Sequence, residues 1–191
     1  MPWNDGTESH IAGSGEAYYA PVGTTLPTTA DAALNAAFVG LGYHSEDGVT
    51  TTTEITITDH MAWQSKYPIR RTRDTEAFTV AFSLLQWNEV TVPFAYGGGA
   101  LVTVSAGEYR YDPPAASDAL QEWSLVVDCD DGTRRVRFVV PRGTVTEGVE
   151  SQFQTTAMAM LPVSFRGLQP AAGGATWYPL FNDLAAFAAG S

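Results

Sequence analysis

The sequence predicts a mainly β fold, a β-sandwich or partly closed barrel. Three observations carry that reading. Residues 75–85 alternate apolar and polar side chains with a period of two, an Asp-Gly pair at 131–132 sits between two alternating segments, and several further short β segments are separated by Gly/Pro turns. No repeat of 20 to 50 residues competes with this reading.

Taken in chain order, residues 1–16 are Gly-, Ser- and polar-rich and read as an N-terminal arm, mobile in the free monomer. A strand is expected over 17–22. Residues 21–30 hold two prolines among threonines and read as extended loop. The Ala-rich segment 31–39 predicts a short helical turn capped by Asp31 and limited by Gly40 and Gly42. Ser45-Glu46-Asp47-Gly48 is a turn signal, and the β-branched run 49–58 after it predicts a strand. In 75–85, Phe78, Val80, Phe82 and Leu84 share the buried face.

Residues 87–97 are ambiguous. Asn88 suits a helix N-cap and Gly97 a C-terminal stop, whereas Val90, Thr91, Val92 and Pro93 are poor helix formers. Gly97-Gly98-Gly99 precede a strand at 101–105 rather than open a helix, so they read as a flexible linker and not a phosphate cradle. Across 123–140, a two-residue type I′ turn at Asp131-Gly132 would pair Val127 with Val136, Leu125 with Phe138 and Trp123 with Val140. The other face would then carry Asp128 opposite Arg135. A long strand is expected over 152–165, with Phe153, Ala157, Ala159, Leu161, Val163 and Phe165 on one face. The expected organisation is an arm at 1–16, a β domain at 17–167 and a C-terminal arm at 168–191.

With 21 acidic and 10 basic side chains the net charge is −11, and no Lys or Arg precedes Lys66. That excludes a protein that wraps nucleic acid by phosphate neutralisation. Only 16% of residues are charged, below the roughly 25% of average soluble domains, and aromatics are plentiful, which excludes a disordered acidic chain. The single cysteine, Cys129, excludes an internal disulfide and a cysteine-based zinc site. No secretory signal is visible, and no apolar run approaches the ~18 residues of a membrane span. A soluble product of a cytoplasm, without membrane contact, is expected.

Residues that would carry catalysis are not found. His10, His44 and His60 lack close metal-ligand spacing, and no metal site is expected. The run Asp128-Cys129-Asp130-Asp131-Gly132 lacks the spacing and terminal Glu of a calcium loop. No nucleophile elbow is present and Cys129 has no nearby His, so neither enzyme nor cofactor is expected. Two basic clusters remain, Arg70-Arg71-Thr72-Arg73 and Arg134-Arg135-Val136-Arg137. Pairing with local acids such as Asp74 and Asp128 is the first reading, intersubunit contact a close second, and nucleic-acid contact a distant third.

One ordered set of motifs reaches further. It runs Gly42-Tyr43-His44-Ser45-Glu46-Asp47-Gly48-Val49, then Ala62-Trp63-Gln64, Arg70-Arg71-Thr72, Phe78-Thr79-Val80-Ala81-Phe82 and Trp87-Asn88 ahead of Gly97. This order and spacing, over about a third of the chain, resembles the tail-tube (major tail) proteins of siphophages, particularly those of actinobacteria. His44, where the family pattern has an aliphatic residue, and the Val-Thr-Val-Pro run are departures.

The resemblance implies a β-sandwich flanked by one short helix, which settles 87–97 as helical. It also implies hexameric rings stacked into a tube around a tape-measure protein, with terminator and distal tail or baseplate proteins at the ends. Such a tube conducts DNA to the host without tight binding, and the subunit is a virion protein made in host cytoplasm. An acidic wall suits a conduit for a polyanion. Subunit contacts are expected from the arm at 1–16, the loop at 61–73 and the tail after Gly167. The residues expected to carry them are Trp3, Trp63, Tyr67, Arg70, Arg71, Arg73, Trp177, Tyr178 and Phe181. Alternatives are another tail component, such as a terminator or contractile-tail tube, or a carbohydrate-binding sandwich with Trp63, Trp87 and Trp123 as a stacking platform.

Overall fold

A computed structural model describes residues 12–182. The order is β1 (Ser14–Pro21), β2 (Val39–Gly40), β3 (His44–His60), β4 (Arg70–Leu84), α1 (Thr91–Ala95), β5 (Ala100–Ser105), β6 (Glu108–Asp112), β7 (Trp123–Asp130), β8 (Arg135–Val145), β9 (Leu161–Gly167) and β10 (Tyr178–Phe181). The fold is mainly β, as the alternation predicts. One large antiparallel sheet runs β2-β1-β7-β8-β9-β4-β3, with β10 on the first half of β8; β5 and β6 form a separate hairpin.

The large sheet curls around its own apolar face. Leu125 and Val127 of β7, Val140 of β8, Leu161, Val163 and Phe165 of β9, and Phe78 to Leu84 at every second position of β4 form one buried cluster. Helix α1 closes that face, inserting Phe94 against Tyr19, Trp123 and Phe165 at centroid distances of 4.7, 5.2 and 6.2 Å. The sheet's two edges, β2 and β3, are consecutive in the chain, yet the sheet does not close into a barrel.

The helix forms where the residues had left the choice open. Asn88 Oδ1 accepts hydrogen bonds from the backbone N–H of Val90 and Thr91, both at 2.9 Å, and Pro93 lies in the first turn, where no intrahelical donor is lost. The glycines after it form a tight connection rather than a flexible linker. All three have positive φ, Gly98 C=O accepts from Tyr111 Oη at 2.8 Å, and a Cβ on Gly99 would lie 2.5 Å from the Asp112 carbonyl oxygen.

Four other expectations are corrected. The 123–140 hairpin exists, but Val127 faces Phe138, Leu125 faces Val140, and Asp128 and Asp130 face Arg137 and Arg135. The register is displaced by two residues because a type I′ turn needs positive φ at both central residues, and Asp131 does not adopt it. Its carboxylate instead accepts from the N–H of Thr133 and Arg134, drawing four residues into the turn. An even displacement leaves every side chain on its expected face.

Residues 31–39 form no helix; Asp31 reaches Arg135 and Asn182 rather than a helix end. Ser45 to Gly48 form an irregularity inside β3, with Gly48 at positive φ, rather than a turn before it. The strand expected over 152–165 exists only from Leu161, where β4 and β8 supply partners, and Phe153 is exposed.

The outer face of β7 and β8 is covered by the loop between β1 and β2. Arg137, 3% exposed, grips Asp128 in a bidentate pair at 2.6 and 2.7 Å and donates to the carbonyls of Thr29 and Ala32. This cross-strand Asp–Arg pairing is what the first reading of the 134–137 cluster anticipates.

Candidate assembly surface

Past Phe78, β4 loses its second neighbour. Strand β9 pairs with it only from Thr79 to Leu84, whereas β3 pairs with it from Leu84 out to Arg70. The distal half of the β3–β4 hairpin therefore leaves the body as a two-stranded arm, exposed on both faces. Its sequence explains its extension: Thr50 to Thr58 is β-branched at all but one position, with neither Gly nor Pro to break it. A register shift between Thr56 and Ile57 leaves Asp74 as the additional residue of β4.

At the tip, residues 61–69 satisfy their own backbone. Ile69 N–H donates to His60 C=O at 2.9 Å and Ser65 N–H to Ala62 C=O at 3.1 Å. This holds Trp63 and Tyr67 outward, 100% and 79% exposed, beside exposed Met61 and Ile69. Four large apolar side chains are thus exposed along the tip, between Met61 and Ile69. No acid occurs from His60 to Arg73, while Lys66, Arg70, Arg71 and Arg73 do. Arg71 pairs with Asp59 at 2.7 Å and Arg73 with Glu76 at 2.8 Å, exposed pairs that set side-chain direction more than stability.

The other expected contact residues fall elsewhere. Trp177 stacks on Phe78 (4.1 Å, 6°) and Tyr178 lies half-buried in β10 opposite Val139, so much of their aromatic area is used within the subunit. Phe181 remains exposed. Trp3 and the first eleven residues of the expected arm lie outside the described residues, although β1 already begins at Ser14. The tryptophans of the carbohydrate alternative do not share a platform. Trp123 is in the core, Trp63 at the arm tip, and Trp87 packs on Phe153 while donating to Ala159 C=O.

Sequence reasoning missed one feature, the open backbone edges of the arm. Strand β3 from Val49 to His60 has β4 on one side and no strand on the other, and β4 from Arg70 to Phe78 is likewise open away from β3, among the described residues. The signal was present, since a long β-branched strand without Lys or Pro carries no edge protection.

Where the arm joins the body, His44 opens β3. Its ring packs edge-on to Phe82 at 5.3 Å, and its Nε2 is buried without a hydrogen-bond partner among the described residues. Burial pulls its pKa below the usual 6.5, with Glu16 opposing. Nearby, burial and the hydrogen bond to Glu16 push the Tyr18 hydroxyl up to about 12. Among the described residues, no group of three His, Cys, Asp or Glu is placed to hold a metal ion.

Compared with known families, residues 1–190 match the description phage tail tube protein. The chain belongs to the phage tail tube protein family. It is therefore a structural component of the virion, and the family is not one of enzymes. No curated protein matches the chain. Among the described residues, no helix is long and apolar enough to cross a membrane.

Proposed function

We propose that this chain is the repeating subunit of a siphophage tail tube, closing into hexameric rings that stack around a tape-measure protein and later pass DNA to the host. The observation that carries the reading is the β3–β4 arm. A two-stranded hairpin exposed on both faces is marginal in water and gains by adding strands. Its two open edges, on β3 and on distal β4, lie on opposite sides of one element, so the β3 edge of one copy suits the β4 edge of the next. Such a contact is heterologous, and it ends in a ring when the rotation closes. The aromatic tip then meets a neighbour in the same or the adjacent ring, and terminator and distal tail or baseplate proteins cap the two ends. The net charge of −11 suits a conduit that repels DNA rather than retaining it.

Purified protein examined over a concentration series by light scattering and electron microscopy tests this. Stacked tubes are expected. Single closed rings would favour a terminator, and a monomer at every concentration would refute self-assembly. Replacing Arg70 and Arg71 together by Glu should block polymerisation while leaving the monomer's melting temperature in place. Normal tubes from that variant would remove the arm from the interface.

A further inference from the structure

The two faces of the arm differ in chemistry. The pairing of Thr51 with Val80 and Thr53 with Phe78 places the odd-numbered β3 residues on the same side as the body's core. Beyond them on that side come Ile55 opposite Glu76, Ile57 opposite Arg73 and Asp59 opposite Arg71, and both isoleucines are exposed. The other side carries Thr50, Thr52, Glu54, Thr56 and Thr58 from β3, joined by Thr72 and Thr75 from β4. Side-chain contacts support this phase: Asp59 binds Arg71 on the isoleucine side, while His60 Nε2 meets Thr72 Oγ1 at 2.9 Å and Thr58 donates to Asp74 on the threonine side.

Toward the body, the threonine side runs into a cleft lined by Asp47, Glu147 and Glu150 together with Ser83 and Ser164. The side thus presents hydroxyls and carboxylates along its length. Its cations, Arg70 and Arg166, stand at the tip and at the base.

We propose that the threonine side of the arm lines the bore of the tube and that the isoleucine side is buried against neighbouring copies of this chain. This rests on the tube reading. Annealing arms edge to edge makes a continuous sheet with one side toward the axis, and the two sides are not interchangeable. Exposed isoleucines on the same side as the core are apolar area that the subunit itself leaves uncovered and that a neighbouring copy can cover. A hydroxyl surface hydrates well, and between Arg70 at the tip and Arg166 at the base it offers DNA no fixed positive charge. Glu54, Asp74 and the cleft carboxylates repel phosphate, whereas each lysine or arginine in their place would release counterions from the DNA and slow its passage. The partner of the threonine side is thus a polyanion in transit, held off rather than bound.

The test compares wild-type protein with the double variants Thr52→Lys/Thr56→Lys and Ile55→Lys/Ile57→Lys. Each is polymerised with a short fluorescent DNA duplex, sedimented and imaged. The threonine variant should form tubes of wild-type diameter that co-sediment several-fold more DNA, in a salt-dependent manner, with density inside the bore. The isoleucine variant should remain monomeric with an unchanged melting temperature. Threonine-variant tubes that take up no additional DNA, or carry it only on the outside, would overturn the assignment. So would tubes from the isoleucine variant that acquire DNA in the bore. Wild-type protein that forms no tubes would instead overturn the tube reading, and the inference with it.

Discussion

Strand β4 belongs to two regions, and the contrast between them separates what holds the subunit together from what it offers to others. From Thr79 to Leu84 it lies between β3 and β9, and from Phe78 onward its alternate side chains are 5% exposed or less. From Arg70 to Glu76 the same strand keeps one neighbour, and nearly every residue faces water. Both halves form β structure; what changes is the number of covered sides. A strand covered on its edges and on one face contributes to folding, whereas one left open is an offer of hydrogen bonds and apolar area to another chain.

Breaking the body should have the largest effect. Phe94 is 1% exposed and touches three aromatic rings from three strands. Phe94→Ala should cost about 3–5 kcal/mol of unfolding free energy in a denaturant titration, a large part of the 5–15 kcal/mol typical of a domain. Assembly would be lost with the fold. A cost below about 1 kcal/mol would show that α1 is not the closure of the core.

The joint between the two regions gives a smaller, pH-dependent effect. Because burial lowers the pKa of His44 in the folded chain, the unfolded chain binds its proton first. Stability attributable to this histidine is complete above about pH 6.5 and falls as pH drops through 6.5 toward the lower folded value. The negative charge of Glu16, on β1, opposes the shift and weakens the effect. Carboxylates held low by arginine partners, such as Glu122 beside Arg142, lose their contribution only further down, below about 4.5. Melting temperature should therefore fall in two stages on acidification, and His44→Leu should abolish the upper stage alone. An unchanged upper stage in that variant would assign it to another group.

The same contrast explains what could be read from residues alone. Body strands were legible because one covered face writes period-two alternation into them, as at Phe78 to Leu84 and Leu125 to Val127. The 123–140 register was displaced because a carboxylate's local hydrogen bonds, not the Asp-Gly pair, set the turn length. Residues 152–160 alternate without forming a strand, since pairing depends on a neighbour that local pattern does not encode. Trp63, Tyr67 and Trp177 were all expected as contact residues by type, yet the first two stand exposed whereas Trp177 stacks on Phe78. Residue type reports a need for cover; only the fold says whether the chain itself supplies it. The unprotected edge of β3 was visible in its residues, but the open edge of distal β4 could not be recognised without knowing where β9 ends.

The smallest effect on the monomer should come from the arm tip, and it is the most telling. Trp63 and Tyr67 touch little within the subunit, so the double variant Trp63→Ala/Tyr67→Ala should change unfolding free energy by no more than about 0.5 kcal/mol. In a contact between copies the same rings would exclude water, and aromatic side chains are over-represented among residues that dominate such contacts. Truncating both should raise the concentration needed for polymerisation at least tenfold, or about 1.4 kcal/mol per subunit added. A variant that melts with the wild type and fails to polymerise places the energy of these rings in assembly. A variant that melts early would move the tip into the folded core's account, and one that polymerises normally would leave the exposed tip without a partner.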